Sequence, residues 1–196
     1  MKTKVEIKEF DIKQVVIPIH GTSPLIVHKF SEKAQKQIEG KQQGEAKNKK
    51  HAIRVPKDEF EAAKHIARSG FEGFPVGGVK KAMIRGAKMV GIVMTDARSS
   101  FFIKPDCAET NLVEIKGKSK MRTDMVRIGM GTADVRYRPE YINWRMNLKI
   151  EYNEGIISLD QLFQILKAGG FGCGIGEWRP ERDGDFGRFD LTTTKK

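Results

Sequence analysis

The clearest pattern in the chain runs from Trp144 to Asn153, "WRMNLKIEYN". Trp144, Met146, Leu148, Ile150 and Tyr152 alternate there with Arg145, Asn147, Lys149 and Glu151. Successive side chains of a strand point to opposite faces, so this alternation predicts a strand with one apolar and one polar face. "QVVIPIHG", Gln14 to Gly21, is rich in β-branched residues, ends on a glycine and predicts a second strand. "NLVEIKG", Asn111 to Gly117, alternates in the same way, and "FGRFDL" predicts a short last strand. Two segments follow a helical period instead. In "GFPVGGVKKAMIRGAKMVG", Val79, Ala82, Met83, Ala87 and Val90 share one face and Lys80, Lys81, Arg85 and Lys88 the other, which predicts an amphipathic helix over about 76–90. "SLDQLFQILKAGG" offers Ser158 as N-cap, Leu159, Leu162, Phe163 and Leu166 as the apolar stripe, and Gly169 as C-cap of a helix over about 158–168.

In order these are strand, helix, strand, strand, helix, strand. That order predicts an α+β fold with a ferredoxin-like βαββαβ core, an antiparallel sheet carrying two helices on one face. Two basic insertions interrupt it, at about 31–70 and 117–141, within a single domain spanning 1–196. The first begins at "SEKAQKQIEGKQQGEAKNKK", rich in helix formers but with one large apolar residue, Ile38. It predicts a solvated helix capped by Ser31, or a mobile basic segment. It continues into "PKDEFEAAKHIARSG", with Phe60, Ala63, Ile66 and Ala67 at helical spacing and Gly70 as C-cap. The second, from Lys116 to Arg138, holds seven Lys and Arg against Asp124 and Asp134, and its central "GMG" suits a long hairpin. Residues 1–12 are charged and read as a frayed end or an arm.

Charge narrows the class of partner. The 196 residues carry 36 Lys and Arg against 25 Asp and Glu, a net charge of +11. Such an excess suits a polyanion. No run of eighteen apolar residues and no leader-like start appears, so the membrane is not the expected partner. Cys107 and Cys173 fit no metal spacing and no disulfide framework, which points to a reduced, cytoplasmic setting.

The densest candidate chemistry lies in "GFGCGIGEWRPERDGDFGRF". It is no dinucleotide loop. It follows a helix and precedes a strand, and Glu177 stands where a third glycine would fall. No G-x-x-x-x-G-K-[ST], H-E-x-x-H or G-x-S-x-G occurs, and His20, His28, His51 and His65 have no ligand-like spacing. No cofactor, metal or catalytic residue is expected. Glycines let a backbone approach a ligand closely, so Gly172, Gly174 and Gly176 are candidates for phosphate contact through their amides. Arg179, Arg182 and Arg188 are candidate phosphate partners, and Trp178 is a candidate to stack on a base or to plug the edge of the core. Two further basic patches join them: Lys80, Lys81, Arg85 and Lys88 on the first helix, and Arg122, Arg127, Arg136 and Arg138 on the excursion, with Tyr137 and Tyr141 interleaved. Two readings from other classes stay open. One is a structural or host-defence-interaction protein; the other is a metal-dependent nuclease using Asp183 and Asp185.

Two resemblances extend this. "TSPLIVHKF", "RTDMVRIGMGTADVRYRPEY" and "GFGCGIGEWRPERDGDFGRF" resemble segments of a family of small, uncharacterised phage and prophage proteins. That implies a phage origin and the cytoplasm of an infected host cell. The element order, the glycine-rich loop after the last helix, and "FPVGGVKKAMIRGA" are similar to the RAMP superfamily, the RNA-binding backbone subunits of CRISPR complexes. This resemblance implies an oligomer along a single nucleic-acid strand, with 117–141 as an inserted hairpin and 31–70 as a second backbone contact. No histidine here matches a catalytic histidine of that superfamily, so binding rather than processing is implied. Single-stranded DNA or RNA, bound without sequence preference and with DNA favoured, is the expected partner.

Overall fold

In the computed structural model, which describes residues 10–30, 39–40, 42–43, 54–128 and 131–192, the alternation at 144–153 becomes the centre of the molecule. Strand β8 (Arg145–Asn153) pairs along its whole length with β1 (Ile12–Gly21), from Ile12 opposite Asn153 to His20 opposite Arg145. Strands β4 (Phe101–Lys104) and β9 (Phe189–Leu191) complete an antiparallel four-stranded sheet in the order β4-β8-β1-β9. Along the chain these strands alternate with α2 (Val76–Met89) and α4 (Leu159–Gly172) as strand, helix, strand, strand, helix, strand. The inward residues Ile17, Ile19, Met146, Leu148 and Ile150 share one apolar core with Val79, Met83, Leu162, Ile165 and Leu166 of the helices. The outward residues of β8 are polar, as the period of two requires.

Helices α2 and α4 touch through glycine. A Cβ on Gly86 would lie 2.5 Å from the Gly169 nitrogen and the Ile165 carbonyl oxygen, and one on Gly169 would lie 2.7 Å from the Ala82 oxygen. Backbone therefore packs on backbone at this crossing. Gly170 is equally tight against the other neighbour, because a Cβ there would overlap the Phe189 carbonyl of β9. These contacts explain why Gly169 is no C-cap. The helix starts as expected, with Ser158 and Gln161 forming a reciprocal capping box, but it runs on through the first glycines to Gly172.

Two further expectations are corrected. The second core strand is not Asn111–Gly117. That stretch supplies β5 (Leu112–Glu114), which pairs with β3 (Gly73–Pro75) in a separate two-stranded sheet. Its place is taken by β4, reached through a short helix, α3 (Met94–Ser100), that ends directly in the strand. Second, Gly70 caps no helix. Helix α1 (Pro56–Ala62) stops early, and the chain folds back so that Ile66 bridges Glu72, with Gly70 in a left-handed turn at φ 93°. The apolar run in "TSPLIVHKF" supplies a two-residue strand, β2 (Leu25–Ile26), to another sheet. The segment expected to start a helix at Ser31 lies largely outside the described residues.

That other sheet contains the expected hairpin. Strands β6 (Ser119–Ile128) and β7 (Thr132–Tyr141) pair from Ser119 opposite Tyr141 to Ile128 opposite Thr132, in the order β2-β7-β6. Glu72 anchors the root. Its carboxylate accepts from Tyr141 Oη at 2.6 Å and Ser119 Oγ at 3.2 Å, and pairs with Lys64 Nζ at 3.0 Å.

The helix crossing makes a specific prediction. Gly86→Ala and Gly169→Ala should each cost about 1–3 kcal/mol in urea unfolding, because the added methyl meets backbone that cannot move aside. Gly77→Ala, in the same helix as Gly86 but with nothing within 4 Å of its Cβ position, should be neutral or stabilising by up to about 1 kcal/mol.

Candidate nucleic-acid interface

Alternation in the hairpin sorts its arginines. The register puts Arg122, Arg136 and Arg138 on one face together with Asp124 and Glu140, and Arg127 on the other face beside Met121, Thr123 and Met125. The first group is held internally. Arg122 donates to Asp124 at 2.7 Å and to Glu140 at 2.8 Å, bonds that raise its pKa. Arg136 lies 3.5 Å from Asp134. Arg138 is only 2% exposed, with Nη1 3.6 Å from Asp124 Oδ2. Burial lowers its pKa against the pull of Glu177 and Asp124, yet a guanidinium remains charged. Arg138 and the buried Tyr141 are thus interior groups rather than the ligand contacts expected of this stretch. Arg127 is exposed and has no acidic partner among the described residues.

The loop after α4 lies beside this face. The Glu177 amide donates to the Ile26 carbonyl at 2.9 Å, and the Arg122 guanidinium sits 4.8 Å above the Phe186 ring. Phe186 in turn meets Trp178 edge-on at 6.4 Å between centroids. Trp178 is 43% exposed and occupies the left-handed region at φ 52°, so it does not plug the core. Its carbonyl accepts from the Phe186 amide at 3.0 Å and leaves no room for a Cβ at Gly184.

The glycines serve the protein's own packing. A Cβ on Gly172 would strike the Met89 side chain, one on Gly174 would lie 2.8 Å from Pro180, and one on Gly176 would strike the Ile26 carbonyl. The Gly174 amide donates to Gly169 O at 2.8 Å. The close approach expected toward a ligand is made toward β2, α2 and the loop itself.

The third patch reaches the same loop through Glu181, in the short 3-10 turn Pro180–Arg182. Arg85 of α2 forms an ion pair with Glu181, and Arg179 holds the same carboxylate at 2.9 Å while donating to the Gly176 carbonyl at 3.0 Å. Arg85 and Arg179 thus share one carboxylate, which compensates one of the two charges. Lys81 and Lys88 on either side of Arg85, and Arg182 beside Glu181, are exposed without acidic partners among the described residues. Lys80 stands apart, 3.9 Å above the Phe102 ring of β4, where burial lowers its pKa. At the near end of the loop Arg188 covers the Phe171 ring at 5.0 Å.

Sequence reasoning missed Phe171, Phe186 and the pairing of Glu181 with Arg85 and Arg179. The aromatics stand at fixed offsets from the glycines, which is a usable signal, but neither sits in a periodic run. Glu181 reads as loop charge until its arginine partners are seen. Among the described residues no group of three or more His, Cys, Asp and Glu is placed to hold a metal ion. A shallow pocket of about 180 Å³ opens on the four-stranded sheet between Gln14, Val16, Lys104 and Lys149. Its lysines are already paired, Lys104 with Glu151 at 2.7 Å and Lys149 with Asp106 at 2.9 Å.

Fold and site define an antiparallel α+β protein in which three cationic stretches meet around one tightly packed glycine loop. Among solved structures the chain is similar to Cmr6 from Pyrococcus furiosus, with 10% identity over 94% of this chain and 100% of that one and a TM-score of 0.44. Similarity at that level carries no argument. No protein-family model and no curated protein matches the chain. No helix among the described residues is long and apolar enough to cross a membrane.

The root of this interface is sensitive to acid. Burial, with Lys29 and His28 nearby, pushes the His65 pKa from 6.5 down to about 4. Between those values the unfolded chain binds a proton that the folded chain does not, so stability is full above pH 6.5 and falls as pH drops toward 4. Burial raises the Glu72 pKa, but Tyr141, Lys64 and Ser119 lower it further, leaving it below the usual value of 4.5. Its contribution is present above that value and is lost as pH falls through the lowered one. Urea midpoints measured against pH should show both losses. His65→Leu should flatten the curve between pH 6.5 and 4, and Glu72→Gln should flatten it below pH 4.5.

Proposed function

We propose that this protein binds single-stranded nucleic acid without sequence preference, on a ferredoxin-like core of the RAMP type. The core supports the reading through its strand order, β4-β8-β1-β9, with helices after the first and third of these strands along the chain. The observation that carries the function is the convergence of α2, the hairpin and the glycine loop. Lys81, Lys88 and Arg182 have no acidic partner there among the described residues, and neither has Arg127 on the opposite face of the hairpin. Cations already paired inside the protein gain little from a phosphate. Unpaired exposed ones release the counterions of the strand on binding.

Binding is electrostatic in this reading, and no catalytic step is assigned. The protein acts as an oligomer along the strand. The long edge of β6, unpaired among the described residues, with Met125 76% exposed, supports a contact between copies. Single-stranded DNA is the favoured partner over RNA. The sequence resemblance to phage proteins supports a role in replication or recombination in the cytoplasm of an infected cell.

Fluorescence anisotropy with a labelled single-stranded oligonucleotide tests this. Affinity should fall steeply with salt, with a log–log slope of about −0.7 per phosphate neutralised. Lys81→Ala, Lys88→Ala, Arg127→Ala and Arg182→Ala should each make the slope shallower by roughly that amount. Lys104→Ala on the open sheet should leave it unchanged. Absence of binding at low salt would refute the proposal.

A further inference from the structure

The glycine loop is bracketed by two exposed aromatic side chains, one beside an arginine and the other beside a ring that an arginine covers. On one side Phe171, the penultimate residue of α4, is 68% exposed, and the Arg188 guanidinium lies 5.0 Å from its ring centroid. On the other side Trp178 packs edge-on against Phe186, and Arg122 lies 4.8 Å from the Phe186 ring. Phe186 and Arg188 flank Gly187, so the two groups are held by adjacent residues of one chain. Gly187 is itself fixed. Its amide donates to Pro24 O at 2.7 Å, its carbonyl accepts from Ile175 N at 2.9 Å, and a Cβ there would overlap the Ile175 carbonyl.

The indole is displayed at a conformational cost. A tryptophan in the left-handed region costs on the order of 1–2 kcal/mol. Packing holds it there through the Phe186 amide and the missing Cβ of Gly184, while the ring stays exposed. An apolar side chain that merely filled the edge of a core would be buried. Arg122 is likewise immobilised, by Asp124 and Glu140, and the Arg188 backbone is tied to Ser23 Oγ at 3.0 Å. Rigid, exposed rings beside arginines present flat surfaces to a flat, electron-rich partner near a negative charge.

We infer that Trp178 and Phe171 each receive one unstacked nucleobase of the bound strand, so that the loop selects single strands over duplex. This rests on the nucleic-acid-binding reading above and assigns its selectivity to particular side chains. A base paired within a duplex has both faces covered and cannot lie on either ring. Each platform should contribute roughly tenfold to affinity, the range expected for base–aromatic stacking.

Intrinsic fluorescence reads this directly, because the other tryptophan, Trp144, is buried at 1% exposure. The full-length protein is titrated at low salt with a single-stranded pyrimidine oligonucleotide, an abasic deoxyribose-phosphate oligomer of the same length, and a duplex. The expected result is quenching of Trp178 by the first alone, with the abasic strand and the duplex at least roughly tenfold weaker. Trp178→Ala and Phe171→Ala should each narrow that gap by weakening the single strand and not the abasic one, while Phe102→Ala changes neither. Equal affinity for the abasic strand, without quenching, would overturn the stacking inference and leave electrostatic binding standing. Failure of all three polymers to bind would remove both readings. The comparison of ligands on the unmodified protein decides the matter even if a variant does not fold.

Discussion

Everything at the candidate interface depends on the crossing of α2 and α4 through Gly86 and Gly169. The backbones approach so closely there that any side chain would separate them. Because α4 also presses Gly170 onto Phe189, the same few residues fix the helix pair, the last strand of the sheet and the start of the loop. The loop then has no slack. Gly174, Gly176, Gly184 and Gly187 each pack on other parts of the chain, and the loop's amides bond to Gly169, Ile26 and Pro24. Backbone contacts of this kind are short and tolerate little displacement, so the residues between the glycines are presented in fixed positions.

Charge in this protein has two roles, separated by pairing. Arg122 and Arg138 are partnered by Asp124 and Glu140 within the hairpin, and Arg85 and Arg179 share Glu181, which ties α2 to the loop. Removing the partner of the buried Arg138 leaves a charge without compensation, which makes that arginine structural. Other cations, among them Lys81, Lys88, Arg127 and Arg182, are exposed and have no acidic partner among the described residues. A count of basic residues along the chain cannot make that division. It depends on which acids arrive from distant segments: Glu140 reaches Arg122 from across the hairpin, and Glu181 reaches Arg85 from nearly a hundred positions away.

The legible parts of the fold were those with a strong local period. Strand β8, the capping box of α4 and the apolar face of α2 stand close to where the alternation and the caps put them. Strand β4 was missed because its alternation, Phe101 in, Phe102 out, Ile103 in, Lys104 out, lasts only four residues and abuts a helix. The segment around Asn111 alternates more convincingly, yet it pairs with β3. Local pattern records that a strand has two faces and does not name its neighbour.

The glycine loop shows the same division at the candidate site. Its place between a helix and a strand, with Glu177 where a third glycine would fall, excluded a dinucleotide fingerprint, and its glycines marked it as a stretch of close backbone approach. The object approached was decided by tertiary structure, and it is the protein's own β2, α2 and α4. The sequence by itself determined the periodic elements, the excess of cations and the density of glycine, because these are properties of neighbouring residues. Only the folded chain decided which cations remain unpaired and which aromatics remain exposed. Both follow from long-range contacts, whose partners lie far apart along the sequence.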